Sequence, residues 1–93
     1  MKKILFMLLL GTSTVQAEYS ESMIRVKMQG ISNRIDKYNY DIEVEDYKNA
    51  CFDSSILENL FADLASGLTG EARETVKEIA KKQHIETENA CNL

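Results

Sequence analysis

A chain of 93 residues, 44% of them hydrophobic and 28% charged, holds one small domain at most, close to the lower size at which a core alone sustains a fold. A net charge of −4 with no basic cluster excludes nucleic acid and anionic membrane as partners recruited by charge. With no proline, no tryptophan and no internal repeat, the chain is neither a linker-joined array nor a solenoid.

The chain opens with Lys2 and Lys3, followed by the apolar run Ile4 to Leu10 and then small and polar residues up to Val15-Gln16-Ala17. A positive start, a short apolar core and small side chains at the −3 and −1 positions are the three parts of an export signal, in order. The run is far shorter than the roughly 20 residues a helix needs to cross a bilayer. Residues 1–17 are therefore expected to be a signal peptide of bacterial form, cleaved after Ala17, with residues 18–93 as a single small helical domain in the periplasm or outside the cell. No cysteine follows the apolar run, which argues against a lipid anchor, and no stable membrane insertion is expected after cleavage. Cleavage removes two lysines and no acid, deepening the net charge of −4 by two units.

From Glu21 the apolar positions Ile24, Met28, Ile31, Ile35 and Tyr38 recur at spacings of 4 and 3, the seam of a helix that packs on one or two neighbours. Ser20 or Ser22 caps it. Arg25, Lys27, Arg34 and Lys37 give it a positive side, and Gly30 suggests a close crossing. Tyr38 to Val44 alternates apolar and polar residues, the period of a half-buried strand. With no second strand pattern to pair with, the favoured reading is a loop through Tyr40 and a short helix capped by Asp41.

Ser55 and Glu58 form an S-x-x-E capping box ahead of Ile56, Leu57, Leu60, Phe61 and Leu64, the broadest apolar face in the chain and the expected centre of the core. Gly67 stands where a C′ glycine belongs. Thr69 caps a further helix with the thin stripe Ala72, Val76, Ile79 and Ala80, and the polar tail from Ile85 is expected to fray except where Cys91 holds it.

Cys51 and Cys91 are the only cysteines. In an oxidising compartment they read as one structural disulfide, closing a loop of about 41 residues and stabilising the fold by roughly 4 kcal/mol in the chain-entropy model. Their separation is not that of a C-x-x-C redox pair, and two thiols with one histidine make a poor metal site. The expected fold is all-α: a small three- to four-helix bundle with one disulfide.

Chemistry is sparse. Asp41, Glu43 and Glu45 match the start of a calcium loop, but Asp46 stands where glycine is required and Phe52 where a bidentate glutamate is required. His84, the only histidine, reads as a partner for the C-terminal end of its helix. No nucleophile elbow, phosphate loop or metal cluster is present, so no catalytic residue, metal or cofactor is assigned and an enzyme is not expected.

The acids Asp41, Glu43, Glu45, Asp46, Asp53, Glu58 and Asp63 are opposed within their stretch only by Lys48. Read with the neighbouring tyrosines, they suggest a surface that steers a basic protein and anchors on an aromatic ring. The candidate partner-binding residues are Tyr40 and Tyr47 as anchors, with Glu43, Glu45 and Asp46 as the steering group. The reading placed first is an exported protein-binding module, an inhibitor or immunity protein that neutralises an envelope-acting enzyme. A periplasmic stress chaperone and an accessory subunit of an envelope complex are the alternatives. Acid-stress chaperones and immunity proteins share this plan of leader, short helices and one disulfide, an architectural likeness that transfers no residues.

Overall fold

The computed structural model describes residues 18–93; the signal-peptide reading of residues 1–17 lies outside them. Three helices follow in chain order: α1 (Glu21–Glu43), α2 (Tyr47–Ser66) and α3 (Gly70–Cys91). The chain runs up, down and up, so the end of α1, the start of α2 and the end of α3 share one end of the bundle. No helix among the described residues is long and apolar enough to cross a membrane.

α2 is the middle element, and α1 and α3 each pack on it. Ile31, Leu57, Phe61, Leu64, Ala65, Leu68 and Val76 form the buried cluster, flanked by Ile24, Met28, Ile35, Tyr38, Leu60, Ala72, Ile79 and Ala80. This is the packing that the helical spacing predicts: the seam of α1 lies against the broad face of α2, and the small residues of α3 close the other side. Nearer the disulfide the α2–α3 contact turns polar. Gln83 donates to Ser54 Oγ at 2.7 Å, the Ser54 and Thr87 hydroxyls meet at 2.6 Å, and Thr87 returns a bond to the Gln83 carbonyl at 2.9 Å. With the Thr87 proton committed to that carbonyl, Ser54 donates to Thr87 and the buried ring of bonds closes without an orphan. Small Ser54, Ala50 and Ala90 lie buried here. They let the helices approach until Cys51 and Cys91 join, with Cα atoms 4.7 Å apart.

Four local expectations are corrected. Tyr38–Val44 is neither strand nor loop: α1 runs through it to Glu43, and Asp41 is buried within that helix and caps nothing. The short helix and the Ser55 helix are one element, so the bundle has three helices. Ser55 lies inside α2, donating to the Cys51 carbonyl at 2.9 Å, and Glu58 pairs with His84, so the capping box is not used. The tail does not fray before Cys91, because α3 continues to the disulfide.

The glycines also differ from their expected uses. Gly30 is exposed, and a Cβ there would meet nothing, so no close crossing explains it. Gly67 ends α2 at φ −99°, which any residue can adopt. Its lack of a side chain serves packing instead, for a Cβ would fall inside the ring of Tyr19.

Candidate functional site

The candidate residues gather at the α1–α2 turn, whose geometry follows from its hydrogen bonds. Asp46 N–H donates to the Asp41 carbonyl at 2.8 Å and Glu45 N–H to the Ile42 carbonyl at 3.1 Å. That is the paired 6→1 and 5→2 pattern of a Schellman motif with Val44 as C-cap. It places Glu45 at the C′ position with φ 59°, the left-handed region where glycine is the usual occupant. Asp46 then opens α2, its carboxylate accepting from Asn49 N–H at 3.3 Å and Asn49 Nδ2 at 2.6 Å. One residue ends the first connection and caps the next helix.

The five candidate residues divide on this frame. Tyr40, Glu43 and Glu45 are exposed, and the two glutamate side chains have no partner among the described residues. Asp46 is half-buried and occupied as a cap; Tyr47 is half-buried in the first turn of α2, its ring shared between bundle and solvent. Lys37 Nζ stands 6.0 Å from the Tyr40 ring centroid, at the outer limit of a weak cation–π attraction.

One contributor escapes the sequence pattern. Val44, 50% exposed, joins Tyr40 at 58% to present apolar surface at the turn, and Ile42, 37% exposed, lies on the other side of the helix across buried Asp41. Once α1 is known to run to Glu43, Tyr40 and Val44 fall one turn apart on its outward side, which is the signal that the strand-like alternation conceals.

The acidic stretch, taken whole, is not a free patch. Arg34 Nη1 pairs with Asp53 at 2.7 Å, and Lys37 Nζ reaches Asp41 at 2.6 Å and Asp53 at 3.5 Å. Lys27 pairs with Asp63, which also accepts from the Tyr19 hydroxyl at 3.2 Å. The positive side of α1 thus pairs Asp41, Asp53 and Asp63, and Glu43, Glu45 and the exposed Lys48 are left without an ion pair among the described residues at the turn. Burial pushes the Asp41 carboxyl above the usual carboxylate range, and the neighbouring Asp53 carboxylate adds to it against the pull of Lys37. Burial works the same way on Asp53, but Asp41, Arg34 and Lys37 together bring it below that range.

His84 is not the helix-end partner that the sequence suggests. Its Nδ1 lies 2.6 Å from Glu58 on α2 and its Nε2 2.7 Å from Glu88 on α3. Two carboxylate acceptors call for two N–H donors, the imidazolium form, and the Glu58 bond chiefly raises its pKa above 6.5. The described residues include no group of three or more His, Cys, Asp or Glu able to hold a metal ion. No protein-family model, curated protein or solved structure matches this chain.

Proposed function

We propose that this chain is an exported, disulfide-closed protein-binding module that reaches the periplasm or exterior after loss of residues 1–17. It docks on a basic protein through the end of the bundle where α1 turns into α2. In its most specific form it is an inhibitor or immunity protein that fills a basic-rimmed cleft of an envelope enzyme.

The observation that carries this reading is the exposure of Tyr40 and Val44 beside Glu43 and Glu45, whose carboxylates have no partner among the described residues, with the exposed Lys48 the one unpaired cation nearby. An aromatic and aliphatic anchor beside like charges fits a partner that is apolar within and basic at the rim. The turn that carries it is fixed by the Schellman pair of bonds and by the Asp46 cap, which limits the entropy lost on docking.

Immobilised mature protein presented with periplasmic extract tests the proposal. The expected result is stoichiometric capture of one basic protein, lost with Tyr40→Ala/Val44→Ser and retained with Val26→Ser, an exposed apolar residue of α1 far from the turn. In stopped-flow with the captured protein, Glu43→Lys/Glu45→Lys should slow association and flatten its salt dependence. Many substoichiometric clients would favour the chaperone reading, and the components of one complex the accessory subunit.

A further inference from the structure

We propose that removal of residues 1–17 builds a structural element: the α-amino group freed on Glu18 seats on the C-terminal end of α2 and supplies the positive charge that this helix end lacks. The inference rests on the leader being cleaved after Ala17. Hydrolysis of that peptide bond by a signal peptidase consumes one water, leaves a carboxylate on Ala17 and an ammonium on Glu18, and needs no other reactant.

The seat exists in the fold. The Glu18 nitrogen lies 2.8 Å from the Gly67 carbonyl oxygen and the Tyr19 nitrogen 3.2 Å from the same atom. That carbonyl belongs to the C-cap of α2, where the helix dipole is negative. α2 has no basic residue in its last turn, and it carries Asp63 there with a further negative charge. From α1, Lys27 answers Asp63, and its ammonium lies 4.9 Å from the centre of the Tyr19 ring. The α-amino group is the second cation at this end and the one aimed at the helix carbonyls.

The segment that delivers it is fixed in place. The Tyr19 hydroxyl donates to Asp63 at 3.2 Å and lies 3.1 Å from Ser66 Oγ, while the ring lies on Gly67 so closely that any side chain there would displace it. Gly67, whose φ asks for no glycine, is explained by this contact alone. In the uncleaved chain the Glu18 nitrogen is a neutral amide with one N–H. It can make the same bond but carries no charge, so cleavage adds a cation to a contact that the uncleaved chain already makes.

Selective acetylation of the α-amino group on the exported, oxidised chain isolates the charge, because the N–H is kept. Acetylation should lower the Tm by about 2 to 6 °C at pH 7 in low salt. The difference should shrink in about 1 M salt, where the Debye length falls to roughly 3 Å. In the unmodified chain the amine should titrate above its ordinary value of about 7.7 to 8.0. An amine that titrates at its ordinary value overturns the proposal. If the acetylated chain does not fold, the titration decides alone. Intact mass of the exported protein separates the two premises: a chain that begins elsewhere than Glu18 overturns the cleavage reading and the seat together, whereas a Glu18 start with an ordinary amine overturns only the seat.

Discussion

Asp41 and Asp53 meet across the α1–α2 contact with 1% and 2% of their surface exposed, and Lys37 donates to both. They are not equivalent. Asp53 also holds Arg34, whereas Asp41 Oδ2 is buried without a hydrogen-bond partner. Asn, which resembles the protonated acid, should therefore be accepted at one position and not at the other. Asp41→Asn is expected to keep or raise the Tm at pH 7.5, while Asp53→Asn lowers stability by about 1 to 3 kcal/mol because Arg34 loses its ion pair whereas Lys37 keeps Asp41. Thermal melts of the two variants decide it, and equal losses would refute the asymmetry.

The same pair sets a pH dependence. The raised Asp41 value means that its favourable contribution is complete below the ordinary 3.8 and fades as pH rises through the folded value. Asp53 and Asp63, both lowered, contribute above 3.8 and lose that contribution as pH falls through their folded values. His84 is raised, so its contribution is complete below 6.5 and is lost as pH climbs through its folded value. Stability should fall when pH rises from 6.5 through the His84 titration, and His84→Gln should remove that fall. A Tm profile that is flat in both proteins across this range would show that the Glu58 and Glu88 pairs contribute nothing.

Gly30 and Gly67 should respond oppositely to alanine. Gly30 lies in the interior of α1 with open space where a Cβ would go, so Gly30→Ala should stabilise by about 0.5 to 1 kcal/mol. Gly67→Ala must expel the Tyr19 ring and should destabilise, and Tyr19→Ala in the same chain should recover part of the loss. Urea titration of the three variants checks both signs. Independent effects of Tyr19→Ala and Gly67→Ala would show that the contact is not made.

Glu45→Gly separates stability from binding. Relief of the left-handed conformation should raise stability by about 1 kcal/mol, measured by denaturant midpoint. Loss of one of the two unpaired carboxylates at the turn should slow encounter with a basic partner. A variant that is more stable and associates as fast as the parent would remove Glu45 from the steering group.

Much of the fold was legible because the 4 and 3 spacing of Ile24 to Tyr38 and the broad face of Leu57 to Leu64 have only one way to be buried. The disulfide was legible from Cys51 and Cys91 being the only pair in a chain with an export-type leader. The end of α1 was hidden because its C′ residue is Glu45, so the punctuation that marks most helix ends was absent. The join of two expected helices into α2 was hidden because Ser55 and Glu58 mimic a start but serve the helix interior and His84. The acidic stretch could not be resolved from sequence either. Whether Asp53 faces solvent or Arg34 depends on how α1 is rotated against α2, and that rotation is set by packing.

The bridge between the fifth residue of α2 and the last residue of α3 makes those two helices and their connection a closed covalent ring with α1 outside it. Whatever loosens the bundle without reducing it can release α1 but cannot part the far ends of the other two helices. The molecule is therefore divided into a hasp and a leaf: amides of α1 should exchange with solvent through a cheaper partial opening than those around Ser54, Leu57 and Val76. The leaf carries Tyr40 and Ile42, so force applied through a docked partner falls first on the part of the chain that can swing free.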